Sequence, residues 1–230
     1  MGDGVRIWVT RTQPGANTTA ARLVSLGYEP VVRPVLEVRA IPDAFQNAPP
    51  SQTISCLALT SPNTIDAIRS EIFHHRAIPA YCVGDTTARA ASEAGFTEVH
   101  SASGDIHALA KLIAQKVSPG LVFAPGAEQP AGDLPKLLPK YRVVRLPVYA
   151  TTETGIAIPT DVDVAMVHSP RAGSALAKAL MSGSRPMKII AISNAAACPF
   201  SGVPGIEMTI ADHPDEEAML RALGKSGLAV

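Results

Sequence analysis

Val164-Ala165-Met166-Val167-His168-Ser169-Pro170-Arg171 repeats the construction of Ser55-Cys56-Leu57-Ala58-Leu59-Thr60-Ser61-Pro62-Asn63. In each, an apolar run of strand character meets Ser-Pro, and a helical pattern follows, through Ile65 and Ile68 in one and Leu176 and Leu180 in the other. Serine is a favoured N-cap, and proline suits the first helical position because its missing N–H has no intrahelical partner there. Two such strand-to-helix turns mark an internal repeat.

Working outward, the next unit repeats as well. Ala80-Tyr81-Cys82-Val83-Gly84-Asp85-Thr86-Thr87-Ala88 answers Ile190-Ala191-Ile192-Ser193-Asn194-Ala195-Ala196-Ala197, each a strand followed by a helix opened by small polar residues. Gly95-Phe96 and Gly205-Ile206 come next, then helix starts at Asp105-Ile106-His107 and Pro214-Asp215-Glu216. The strand Leu121 to Ala124, with Gly126 and a helix expected from Gln129 to Leu138, has no counterpart after the second repeat. Its counterpart is the N-terminal unit: strand Val5 to Val9, helix Pro14 to Leu26 stopped at Gly27, strand Tyr28 to Val32.

The N-terminal unit therefore belongs with the C-terminal half, and the other half is inserted. The expected domains are 1–34 with 152–230, and 43–144, with linkers 35–42 and 145–151. Both linkers are extended in character and carry proline, so they can pair as a two-stranded antiparallel hinge about which the halves rotate. The fold class is α/β, because Val/Ile-rich runs alternating with helices favour parallel strands and crossover helices. Pro42 to Gln52 and Thr151 to Asp163 are expected to be exposed connections.

With 20 basic and 20 acidic residues, the chain lacks the broad positive field that nucleic-acid binding uses. No apolar window long enough to span a bilayer occurs, and Met1-Gly2-Asp3-Gly4-Val5-Arg6 has no signal-peptide pattern, so a cytoplasmic protein is expected. Cys56, Cys82 and Cys198 form no CxxC pair and fit buried thiols, and the six histidines, taken as scattered surface residues, show no metal-site spacing. Neither GxGxxG, GxxxxGK[ST] nor GxSxG is present, which disfavours a sugar- or nucleotide-type enzyme on a generic doubly wound fold.

Strand-to-helix turns remain as the candidate site: Thr10-Arg11-Thr12, Thr60-Ser61-Pro62-Asn63, Gly84-Asp85-Thr86-Thr87, Pro125-Gly126-Ala127, Ser169-Pro170-Arg171 and Ser193-Asn194. In a parallel sheet all lie at the carboxyl ends of strands, where ligands bind, and backbone N–H groups there can hold carboxylates without net basic charge. A cleft between the two halves is the expected location. Taken singly, each turn is better explained as a helix cap and nothing more.

These residues together resemble the uroporphyrinogen-III synthase family. The resemblance is carried by Val9-Thr10-Arg11 with Gly15, Leu26-Gly27, Pro34-Val35, Leu59-Thr60-Ser61-Pro62-Asn63, Val83-Gly84 with Thr87-Ala88, Gly126, Val148-Tyr149 with Thr151, and Ser169-Pro170. It implies two flavodoxin-like parallel-sheet domains joined by a two-stranded antiparallel hinge. It also implies closure of hydroxymethylbilane, a linear tetrapyrrole with eight carboxylates, to uroporphyrinogen III with ring D inverted and water lost. No cofactor or metal is implied.

The resemblance further implies that Tyr149 assists the leaving hydroxyl, an ordinary interfacial tyrosine being the alternative. Substrate contacts are implied at Thr10, Arg11, Ser61, Asn63, Gly84, Thr87, Gly126, Ser169 and Ser193; for Arg11, bracing of the first turn stands beside substrate contact. The chain departs from the family at Ala196, where a hydroxyl equivalent to Thr87 is missing, at Ala131-Gly132-Asp133, where an arginine is common, and at His168. A monomer is expected, with no nucleic-acid or membrane partner and at most transient contact with hydroxymethylbilane synthase. The second reading is a non-catalytic module binding a tetrapyrrole or another polyacid.

Overall fold

The structure is a computed structural model that describes residues 4–181 and 186–225. Met1-Gly2-Asp3, part of the no-export reading, lies outside the described residues, as do 182–185 and 226–230 of the expected first domain. Two compact units divide the chain, Met1–Glu37 with Thr152–Val230, and Val38–Thr151.

The discontinuous unit holds a five-stranded parallel sheet of β1 (Arg6–Val9), β2 (Glu29–Val32), β9 (Val164–Val167), β10 (Met187–Ala191) and β11 (Ile206–Ile210), in the order β11-β10-β9-β1-β2. The strands alternate their apolar residues between the two faces. Ile7, Val9, Val164 and Met166 enter one core, whereas Trp8, Ala165 and Val167 enter the other. Strands buried on both faces need apolar residues at every position, which is why they appear as unbroken hydrophobic runs. The first face carries α1 (Gly15–Ser25) and α8 (Glu216–Lys225), and the second α6 (Pro170–Leu180) and the single turn α7 (Asn194–Ala197).

The continuous unit repeats this plan. Its sheet contains β3 (Leu36–Ala40), β4 (Ile54–Leu59), β5 (Ala80–Cys82), β6 (Val99–Ser101), β7 (Leu121–Ala127) and β8 (Arg142–Glu153), ordered β3-β8-β7-β4-β5-β6. Cys56 and Ala58 of β4 face one core with α4 (Ile106–Lys116) and α5 (Leu134–Leu137); Leu57 and Leu59 face the other with α2 (Pro62–Ile68) and α3 (Asp85–Glu93). Beside β8, Ile41 N donates to Val148 O (2.9 Å); in the discontinuous unit Thr154 N donates to Val35 O (3.0 Å).

The helix stop expected at Gly27 is present, and Gly95 makes a second of the same kind. Gly27 and Gly95 take φ of +85° and +94°, and the following N–H groups of Tyr28 and Phe96 reach back to Leu23 and Ala91. A residue with Cβ strains in this conformation, and glycine does not.

Several expectations are corrected. The helix expected from Gln129 to Leu138 shrinks to Leu134–Leu137, because Pro130 and Gly132 precede it and Asp133 caps only its last turn. The helix expected after Ser193 is one turn, because Pro199 lacks the N–H to continue it. Arg145 to Thr151 belongs to a strand that starts at Arg142 and ends at Glu153, so Thr151 to Glu153 is not loop. In Pro42 to Gln52, Ala44, Phe45 and Ala48 pack on the core of their unit, so that stretch is only partly an exposed connection. Two histidines are buried, His75 and the side chain of His168, and Cys198 is exposed.

Candidate active site

In the continuous unit an open cavity of about 580 Å³ lies at the carboxyl ends of β4 and β7 and along β8. Its walls are Thr60, Ser61 and Asn63 after β4, Pro125 to Ala127 of β7, Arg145 and Tyr149 of β8, and Asp105 with His107 at the start of α4. Ser61 caps α2, its Oγ accepting from Asn63 N at 3.2 Å. A Cβ placed on Gly126 would sit 3.8 Å from Thr60 Oγ1 and 4.0 Å from Thr64 Oγ1, which is ordinary contact. Glycine at this position therefore relieves no clash; it leaves the cavity floor bare beside two hydroxyls. The Thr64 hydroxyl is buried and without a hydrogen-bond partner among the described residues.

Tyr149 is 6% exposed and packs in the core with Leu57, Phe123 and Val148, yet it also borders the cavity. Its carbonyl accepts from Glu128 N (2.9 Å), while its hydroxyl has no hydrogen bond among the described residues. A rigidly held phenol with an unspent donor is suited to meet a ligand.

One helix N-terminus at this end of the unit is occupied by the chain's own carboxylate, and another carries an acidic residue in its first turn. Asp105 caps α4, accepting from His107 N and Ala108 N, both at 2.9 Å. Asp85 opens α3 and accepts from Ser101 and Ser103 hydroxyls at 2.6 and 2.8 Å. Those bonds hold both carboxyls below their ordinary range, Ala108 N–H contributing most at Asp105 and Ser101 at Asp85. Gly84 is the N-cap of α3 and Thr87 is 3% exposed; neither borders the cavity.

Thr10, Arg11, Ser169 and Ser193 fall in the discontinuous unit. The Thr10 side chain is fully buried, its hydroxyl donating to Met166 O at 2.6 Å, which ties the end of β1 to β9. Ser169 and Ser193 cap α6 and α7 through Ala172 N (3.1 Å) and Ala196 N (3.3 Å). Arg11 Nη1 meets Glu216 Oε2 at 3.0 Å; the same oxygen meets His168 Nε2 at 3.1 Å, and Oε1 accepts from Thr19 at 2.6 Å. Burial pushes the Glu216 carboxyl up, but hydrogen bonds from His168 and Thr19 and the charges of His168 and Arg11 outweigh it, and the pKa falls to about 2. A Cβ on Gly15 would lie 2.6 Å from Arg11 Nε, so glycine there makes room for the guanidinium.

Of the residues expected at the site, Ser61, Asn63, Gly126 and Tyr149 thus border one cavity. Sequence reasoning misses Arg145 and His107 in the same walls, because 145–151 reads as a linker and the histidines as surface residues. It also misses the bond between His168 and Glu216, although both sit at turns the repeat singles out. Among the described residues no group of three or more His, Cys, Asp or Glu could hold a metal, and no helix is long and apolar enough to cross a membrane. Burial pushes the Cys56 and Cys82 thiols up to about 12, which leaves them protonated.

A family model described as uroporphyrinogen-III synthase HemD matches residues 17–221. Among solved structures, the chain is similar to uroporphyrinogen-III synthetase from Helicobacter pylori, at 17% identity with a TM-score of 0.65, covering 96% of this chain and 99% of that one. It is similar also to a mutant uroporphyrinogen III synthase from the extremely thermophilic bacterium Thermus thermophilus, at 18% identity with a TM-score of 0.57, covering 97% and 100%. At these identities the likeness is one of fold. No curated protein matches the chain's sequence significantly.

Proposed function

Because this chain belongs to the uroporphyrinogen-III synthase family, matched over residues 17–221, we propose that it closes hydroxymethylbilane to uroporphyrinogen III, inverting ring D and releasing water. The activity is that of a cyclising lyase. Departure of the hydroxyl from ring A leaves a delocalised azafulvenium cation, so the chemistry asks the protein to assist departure, fold the chain and prevent closure without inversion. Tyr149 donates its phenolic proton to the departing hydroxyl, which leaves as water, and the proton released from ring D when the macrocycle closes restores the phenol. The observation that carries this assignment is Tyr149, a residue that borders the cavity and whose hydroxyl has no hydrogen bond among the described residues.

Ser61, Asn63 and Gly126 contact the substrate from the same cavity, Gly84 and Thr87 from the neighbouring helix start, and Ser169 and Ser193 from the discontinuous unit. For Thr10 and Arg11 the geometry favours bracing, since Met166 O and Glu216 already engage them. We assign 1–34 with 152–230 and 43–144 to two flavodoxin-like domains linked through 35–42 and 145–151. The strand order β2-β1-β9-β10-β11 of the discontinuous unit, which is 2-1-3-4-5 in chain order, supports that assignment. The reaction needs no cofactor or metal. A monomer acting in the cytoplasm, with at most transient contact with hydroxymethylbilane synthase, fits this reading, as does an equal number of basic and acidic residues.

The test generates hydroxymethylbilane in situ from porphobilinogen and its deaminase and separates the oxidised isomers I and III. Isomer III formed in proportion to added protein is the expected result. Tyr149→Phe should lower kcat by about 10²-fold with KM little changed, as removal of a general acid does. Isomer I alone, from folded wild-type protein, would sink the enzyme and leave the polyacid-binding module.

A further inference from the structure

We propose that Arg145 is the carboxylate anchor of the cavity and sets which pyrrole faces Tyr149, an inference that rests on the reaction proposed above. A substrate with eight carboxylates must find cationic or N–H partners wherever it lies. In this cavity the long-helix option is closed, because Asp105 fills the N-terminus of α4 with its own carboxylate. Asp85 likewise puts negative charge on the first turn of α3.

The cationic side chain among the cavity walls is Arg145, and His107 borders the same cavity. The Arg145 side chain forms no hydrogen bond or ion pair among the described residues. The nearby Asp133 feels its charge, but that carboxylate is paired with Lys136 at 2.9 Å and bonded to Lys136 N. A guanidinium bordering a cavity and left without a carboxylate of its own chain is available for a bidentate partner from outside.

Spacing adds the selectivity. Arg145 and Tyr149 stand on the same strand, opposite Ala124 and Ala127 of β7. The register shifts between them, four residues of β8 standing against three of β7, so their Cα atoms lie within the ~13 Å that four regular strand residues would span. The two long side chains can therefore engage a carboxylate and a hydroxymethyl group carried on the same or adjacent rings. Arg145 acts by binding and positioning, whereas Tyr149 meets the reacting oxygen.

Arg145→Gln, Arg145→Lys and wild type should be compared in the coupled assay, with direct titration of uroporphyrin III as a second readout. Arg145→Gln is expected to raise KM roughly ten- to hundredfold with a small change in kcat, the size expected for a lost charged hydrogen bond. It should also weaken uroporphyrin binding and flatten its salt dependence, and Arg145→Lys should recover part of the loss. An unchanged KM in an active Arg145→Gln protein overturns the anchor and leaves the reaction standing. If wild type forms no isomer III, the reaction falls instead. Uroporphyrin affinity then decides the anchor alone: a loss in Arg145→Gln supports it, and no change overturns it.

Discussion

Glu216 shows how one side chain can organise the carboxyl edge of a parallel sheet. Its two oxygens collect Arg11 from the end of β1, His168 from the end of β9 and Thr19 from α1. A folded-state pKa of about 2 against an ordinary 4.5 means that the ionised form stabilises the fold above pH 4.5, and that this stabilisation is lost as pH falls through that interval towards 2. Glu216→Gln should cost about 1–3 kcal/mol at neutral pH, since Arg11 and His168 keep their donors and lose the charge that held them. The same variant should show a flatter acid limb, and urea midpoints at pH 7 and pH 3 would read both effects. Nothing local announces this cluster, because its partners lie 205, 48 and 197 residues apart. The Ser caps, by contrast, are legible because cap and helix are adjacent in sequence.

At the scale of elements, α6 packs tightly against the backbone of α7. Ala172, Gly173, Ala175 and Ala177 are all buried, and a Cβ on Gly173 would come within 2.4 Å of the Ala196 carbonyl. Backbone cannot move aside as a flexible side chain can, so Gly173→Ala should cost about 1–3 kcal/mol through overpacking despite the better helix propensity of alanine. Thermal melts should show the loss, whereas Gly126→Ala, which meets only ordinary contacts, should melt like wild type. The sequence pattern reveals strands such as Val164–Val167 to the residue, because both faces bury apolar groups. It overestimates the helices after Gln129 and Ser193, where prolines outweigh otherwise helical composition. Arg145 escapes notice for a related reason: its extended character is legible, but nothing in sequence says which cavity a strand borders.

At the scale of the whole molecule, the repeat read from the Ser-Pro turns corresponds to two sheets of related order. With β7 and β8 taken as the first and second strands, and β4, β5 and β6 as the next three, the order β8-β7-β4-β5-β6 repeats β2-β1-β9-β10-β11. The copies differ in where the chain enters them. Residues 38–151 hold two cores and all strand partners of their sheet except the first residues of β3 and the last of β8. That segment expressed alone should melt cooperatively by circular dichroism, while a featureless melt would show that it needs the remainder of the chain.

Interrupted chain entry has a consequence for synthesis. β1 lies between β2 and β9 in its sheet, so its second neighbour is encoded after the entire inserted unit. At ~5–20 residues per second, a nascent chain on the ribosome carries β1, α1 and β2 for roughly seven to twenty-seven seconds before β9 emerges. During that interval Ile7, Trp8 and Val9, wholly buried once folded, have an open sheet edge beside them. The first unit to begin translation is thus the last to complete, and it is the one with most reason to be shielded by a chaperone until its C-terminal strands arrive.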